Sequence, residues 1–465
     1  MRSPVVVFTL GVCICVLASP ARADDLTTIA AAYVRAHTLA SDHARVPERV
    51  PPYSRQTGLA CSACHYQFLS LKPFGREFKA NGYTLTTLQV IKEKEKGNGN
   101  TLGLSPIPMI GFMAQASYTV LNTTIPGTQN GNASLPQQLS LFLAGGITPK
   151  IGIFSQLTYS GADNALGIDN VDVRFASRVE GKVDMTYGFT LNNNPTVTDL
   201  WNTLPAWGWP FVSSDAAPTP AATTLIDGGL AQQVLGVTTY AFVRKTVYGE
   251  FGVYRSALQG LALPDASASR VIKGVAPYWR VAVQKEWKAG NIELGTFGLY
   301  ASQYPEGVTG STDSRTDVGI DAQWEQRLGP GFLVTRGTWI DESANLEASF
   351  EAGGVSAPKS SLKTFKLNTS FYPKQWISVS LGYFQSSGTT DTLQYAPDPV
   401  AGSMTGSPNS NGLVGEVNYN PWQNTRLGLQ YVLYTKFNGS STDYDGAGRN
   451  ASANNTLYVF VWLVF

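Results

Sequence analysis

Asp317-Val318-Gly319-Ile320-Asp321-Ala322-Gln323-Trp324-Glu325 is a run with a period of two. In an extended chain it puts Asp317, Gly319, Asp321, Gln323 and Glu325 on one face. Val318, Ile320, Ala322 and Trp324 fall on the other. A strand acidic on one side and apolar, with tryptophan, on the other suits a wall between water and lipid. The neighbourhood repeats the pattern. Arg280, Gln284 and Glu286 alternate with Trp279, Val281, Val283 and Trp287, and Asp172, Arg174 and Arg178 alternate with Val171, Val173 and Phe175. Such segments of about ten residues, separated by Gly/Asn/Ser/Asp-rich connections, are the signature of a transmembrane β-barrel.

Sixteen segments are predicted, the first beginning near Ile107, the sixth near Val234, the tenth near Thr316 and the last near Thr456. Their connections test the count. Seven are short turns: Thr148-Pro149, Glu180-Gly181, Arg244-Lys245, Ala289-Gly290, Gly329-Pro330, Pro373-Lys374 and Pro421-Trp422. They alternate with eight longer connections, among them Thr123–Pro136, Asn193–Gly229, Gly388–Asn411 and Asn438–Asn455. Short periplasmic turns alternating with long outer loops is the outer-membrane arrangement. A soluble β-sandwich does not predict it. The chain ends on Phe465, the terminal aromatic expected of outer-membrane barrels. The expected location is the outer membrane of a Gram-negative bacterium, in contact with its lipid.

Composition agrees. Over 465 residues, 34 Lys+Arg face 33 Asp+Glu, and charged residues are 14%, against roughly 25% in soluble domains. Aromatics reach 11%, with 46 glycines, and mean hydropathy is −0.07. There is no basic excess for nucleic acid, and too little hydrophobicity for a multi-span helical transporter.

The first 23 residues read as a signal peptide. Arg2 supplies the positive region, Val5 to Leu17 the apolar one, and Ala21-Arg22-Ala23 the cleavage site. Without them two cysteines remain, in Cys61-Ser62-Ala63-Cys64-His65. This is the C-x-x-C-H attachment sequence for c-type haem. The spacing presents two thiols to the two vinyl groups, and His65 is placed to ligate iron from the proximal side. A structural disulfide or a redox dithiol is the plainer alternative, but a redox dithiol sits near a βαβ pattern, which is missing here. Zinc needs about two more Cys or His ligands, and only His37 and His43 remain. The expected cofactor is one covalent haem c.

A second signature surrounds the first. Arg55-Gln56-Thr57-Gly58 leads into Cys61, and Pro73-Phe74-Gly75-Arg76-Glu77-Phe78-Lys79 runs on to Asn81-Gly82-Tyr83. This arrangement, covering about residues 52–83, resembles the outer-membrane cytochrome–porin fusions of iron-oxidising bacteria. The resemblance implies one c-type haem in front of a porin-like barrel, acting as an Fe(II) oxidase at the cell surface. Leu69 departs from the pattern, where a proline is expected. Relatives extend beyond iron oxidisers, so the resemblance favours electron transfer more strongly than iron. The expected organisation is a signal peptide (1–23), a small α-helical monohaem cytochrome c-like domain (24–103) and a porin-like barrel (104–465).

The distal iron ligand is open between several residues. Asp25 to Arg45 is predicted as a helix whose apolar stripe includes His37, a ligand candidate or a packed side chain, while His43 sits among charges. Alternation points Met185 to lipid and puts Met404 in an outer loop. It points Met109 and Met113 into the lumen, as distal ligands or as filling. In the last strand, Trp462, Phe460 and Tyr458 also point inward, where an aqueous pore would place polar groups. A single periplasmic haem cannot reach across a hydrocarbon core of roughly 30 Å. The haem segment is therefore expected to plug the lumen against this Met/aromatic seam.

Three functions compete: an electron conduit from an extracellular donor, best guessed as Fe(II), to a periplasmic cytochrome or other carrier; a solute porin with an accessory haem segment; and a peroxidase-like haem enzyme with an open distal site. Asp341, Glu342, Glu347 and Glu351 are candidates for an iron site by proximity alone, with solvated loop charges the plainer reading.

Overall fold

The computed structural model describes residues 50–85, 91–94, 101–104, 107–257 and 271–465. Sixteen antiparallel strands close into one barrel. They are β1 (Ile110–Leu121), β2 (Asn132–Thr148), β3 (Ile151–Ser160), β4 (Ala165–Val179), β5 (Met185–Asn192), β6 (Val234–Val243), β7 (Val247–Ser256) and β8 (Ala276–Trp287). The wall continues through β9 (Gly290–Tyr304), β10 (Asp313–Leu328), β11 (Gly331–Asn345), β12 (Lys359–Lys374), β13 (Ile377–Gly388), β14 (Ser410–Trp422), β15 (Thr425–Lys436) and β16 (Thr456–Val464). Val271–Ile272 extends the wall above β8 by pairing with β9. Closure joins β16 to β1, with Trp462 opposite Gln115 and Val464 opposite Met113, so the sheet has no free edge.

The strand count and the expected faces hold. In β10, Asp317, Asp321, Gln323 and Glu325 are buried inside, while Val318, Ile320 and Trp324 are exposed outside. In β16, Tyr458, Phe460 and Trp462 are buried inside, and Val459 and Val461 face out. An apolar exterior on a closed barrel with every ladder satisfied is what a bilayer requires. This is an outer-membrane-type β-barrel in contact with lipid. Several strands begin earlier than the alternation indicates: β2 starts at Asn132, not Gln138, and β4 at Ala165, not Asn170. These extensions lie at the long-loop end, where strands project past the hydrocarbon and no lipid enforces alternation.

Two features differ from expectation. Residues 193–233, expected as an outer loop, fold back into the lumen. Leu200, Trp201 and Leu204 are fully buried there. Trp201 Nε1 donates to Gln284 Oε1 at 2.9 Å, and the amides of Leu225 and Ile226 donate to Glu342 and Asp317 at 2.6 Å each. The stretch Trp201-Asn202-Thr203-Leu204-Pro205-Ala206-Trp207-Gly208-Trp209-Pro210-Phe211 has no charge and three tryptophans, so leaving it in water is unfavourable. That composition was the available signal. Second, the segment before the barrel is not purely helical. It contains α1 (Pro52–Thr57), α2 (Cys61–Cys64), α3 (Pro73–Ala80), a ribbon pairing His65–Gln67 with Ser70–Leu71, and a hairpin of Ile91–Lys94 with Thr101–Leu104. Residues 47–465 form one compact unit, so this segment and the barrel are a single body. The predicted signal peptide and the helix carrying His37 and His43 lie outside the described residues.

Candidate functional site

Residues 50–85 sit in the lumen at the short-turn end, and the second signature accounts for how they are held. Arg76 donates two hydrogen bonds to Glu325 of β10, at 2.6 and 3.2 Å, with both side chains buried. Lys79 Nζ donates to the Asp199 carbonyl at 2.5 Å and lies over the Trp207 ring. Tyr83 donates to Asp172 of β4 at 2.6 Å, and Glu77 pairs with Lys245 on a turn at 2.8 Å. Gln56 Oε1 accepts from the Gly146 amide at 2.8 Å, and Arg55 donates to the Ile110 carbonyl. From the wall, Arg336 donates to Ser70 and Tyr240 to the Ala80 carbonyl. The motif residues are thus mostly contacts between the plug and the barrel. Charged partners buried together in this way hold each other in place, because a buried charge left alone is costly.

Two backbone positions explain particular residues. An added Cβ on Gly75 would collide with the Cys64 carbonyl, so only glycine lets α3 cross α2 this closely. Leu69, where the sequence reading expected a proline, adopts φ +75° at the ribbon's turn, a value that the proline ring forbids. Asn202 Nδ2 donates to the Leu69 carbonyl at 2.8 Å and helps hold this strained residue. We expect Gly75→Ala to cost roughly 1–3 kcal/mol of local stability through overpacking. Haem-stained denaturing gels, normalised to total protein, should then show covalent haem reduced severalfold. Full loading would mean that α3 can shift.

Cys61, Cys64 and His65 all line one apolar cavity enclosing about 1090 Å³ of non-protein space, including its open side. Tyr53, Phe78, Phe142, Phe154 and Trp207 supply aromatic walls. The cysteines are free, and no disulfide joins them. Burial pushes the Cys64 thiol up to about 12, with Cys61 adding to it. Burial, assisted by the charge of Lys72, holds the His65 imidazole down at about 4, so it is neutral and able to donate a lone pair to a metal. His65 Nδ1 is buried without a hydrogen-bond partner. Burial also brings Lys79 down to about 7, with Arg174 acting in the same direction. Two thiols, a neutral imidazole and apolar, aromatic walls are a donor set and lining that fit a covalently attached haem.

Met113, Met185 and Met404 lie where alternation puts them, inside, outside and in a long connection. Met113 is buried in a cluster with Phe142, Tyr458, Phe460 and Trp462, and Phe68 of the plug packs against it, its ring 5.0 Å from Trp462 and edge-on. Neither Met109 nor Met113 is among the described lining residues, which contain no methionine and no histidine other than His65. Met185 lies on the outer face of its strand, and Met404 is exposed in a loop. Among the described residues no group of three or more His, Cys, Asp or Glu could hold a metal ion. Asp341 lies 3.9 Å from Lys363, and Glu342, read from sequence as solvated, is instead buried beneath the inward loop.

No protein-family model and no curated protein matches the chain. Solved structures do resemble it. An OmpF of Salmonella typhi, in complex with Daunomycin, is 12% identical, with 81% of this chain and 100% of that one covered and a TM-score of 0.45. An anion-selective porin from Comamonas acidovorans is 13% identical, with 77% and 98% covered and a TM-score of 0.44. A loop-deletion variant of OmpT, an outer membrane protein of Vibrio cholerae, is 9% identical, with the same coverages and a TM-score of 0.43.

Proposed function

We propose that this barrel is an outer-membrane electron-transfer protein. It takes electrons from an extracellular donor, Fe(II) being the first candidate, and passes them to a periplasmic carrier through one covalent haem c. The observation that carries the reading is the apolar cavity inside the barrel, lined at once by Cys61, Cys64 and His65. Haem would supply a one-electron iron couple there. Cys61 and Cys64 would tether it, neutral His65 would ligate the iron, and the aromatic walls would pack against it. Among the described residues, the long connections other than the inward loop carry eight carboxylates and two cations, Lys273 and Arg449. That balance attracts a cationic donor to the outer mouth.

The porin reading has the barrel architecture in its favour. Against a wide aqueous channel stand the plug and the inward loop, whose buried side chains bond to strands around the lumen. The haem-enzyme reading is supported by the lack of a methionine or second histidine among the described lining residues. Carbon monoxide binding by the reduced protein would favour it over a six-coordinate conduit. Mixing oxidised purified protein with Fe(II) tests the main reading. The haem spectrum should convert to the reduced form, and a haem unchanged at every pH where the protein is folded would rule out the iron-oxidase form.

A further inference from the structure

The two ends of the barrel differ in charge. The long-loop end is acidic, as above, whereas six of the seven short turns each place an exposed cation at the periplasmic rim: Lys150, Lys182, Arg244, Lys288, Arg327 and Lys374. None of these six lies within ion-pair distance of a carboxylate among the described residues. Their neighbours Lys245 and Arg178 do pair, with Glu77 and with Asp184 and Glu180. The seventh turn breaks the ring. Pro421-Trp422-Gln423-Asn424 is uncharged, as is the carboxyl-terminal strand beside it. At this gap a second opening is bordered by Gln375, Asn420, Gln423 and Asn424, and on its inner side by Cys61 and His65. Gln375, Gln423 and Trp422 are exposed around it.

We infer that this rim is the docking surface for a soluble periplasmic electron carrier with an acidic face. The assignment rests on the electron-transfer reading and names its partner. Unpaired cations spread around the mouth steer an anionic partner during encounter, while the uncharged patch allows close contact beside Cys61 and His65. Charge sets orientation and association rate, and the neutral patch at the gap avoids burying unpaired ions. A girdle for anionic lipid headgroups would need cations around the whole circumference, yet the turn nearest the opening carries none.

Full-length protein in phosphatidylcholine nanodiscs, presented with plastocyanin (an acidic copper carrier) and with a basic cytochrome c, tests this by equilibrium binding. Plastocyanin should bind at low salt about tenfold or more tighter than cytochrome c. It should lose about tenfold on raising ionic strength to roughly 0.15 M, and again in the Lys182→Gln/Lys288→Gln/Lys374→Gln variant. Equal binding of both carriers, or no loss in the variant, would overturn the docking surface. So would a variant that binds plastocyanin as before but retains less phosphatidylglycerol, which would make the ring a lipid-headgroup site. Binding is read without using the haem. A protein that discriminates between the carriers yet carries no covalent haem therefore defeats the electron-transfer reading while leaving the acidic-partner surface standing. A haem-loaded protein that fails to discriminate defeats only the surface.

Discussion

Replacing both Cys61 and Cys64 with alanine should abolish covalent haem completely while leaving the barrel able to assemble. Neither thiol contributes to the barrel wall, and both face a cavity. Wall ladders, closure of β16 on β1 and the apolar exterior are independent of them. Single replacements should each leave one thioether, and so retain reduced amounts of attached haem. Haem-peroxidase staining of denaturing gels measures attachment, and heat-modifiable mobility of unboiled samples measures barrel assembly. Covalent haem persisting in the double variant would sink the attachment assignment.

The Arg76–Glu325 pair gives the second large effect. Arg76→Met leaves a buried carboxylate whose remaining side-chain donor is Gln323, at 2.9 Å. Removing one partner of a buried pair costs roughly 3–5 kcal/mol, whereas replacing both with apolar side chains of similar volume is close to neutral. The single variant should therefore release residues 50–85 from the lumen. Hydrogen exchange and limited proteolysis of that segment in nanodiscs would report the release. Arg76→Met/Glu325→Met should restore protection. If the single variant protects the segment as well as the wild type does, Arg76 is not what anchors the plug. Loss of plug protection with an intact, heat-modifiable barrel would separate docking from wall assembly.

The wall was readable from residue order because a strand's two faces meet two different solvents. Asp321 and Ile320 are neighbours in sequence, and the bilayer alone requires one to turn in and the other out. The same reasoning places Trp462, Phe460 and Tyr458 inside, where they are buried. The attachment motif was equally local, since Cys61, Cys64 and His65 need only one turn of chain to act together. The inward loop was harder to read. Periodicity marks residues 193–233 as a long connection, but whether a connection covers the mouth or fills the lumen depends on partners such as Glu342 and Asp317, more than ninety residues away.

The second signature shows the division most plainly. Pro73-Phe74-Gly75-Arg76-Glu77-Phe78-Lys79 could be recognised as a pattern, yet its sequence context says nothing of what Arg76 or Lys79 touches. Arg76 meets Glu325 across 249 positions, and Lys79 meets Asp199 across 120. Sequence alone determined what depends on short-range periodicity and on the contrast between lipid and water: sixteen strands, their faces, and a thiol–thiol–imidazole triplet. Tertiary structure alone decided that the motif's charges anchor a plug, that Met113 packs in the aromatic cluster bordering the cavity without lining it, and that Asp341, Glu342, Glu347 and Glu351 form no metal-binding group. Those outcomes depend on which buried charges find partners across the lumen, and the cost of leaving such a charge unpaired is set by residues that are distant along the chain.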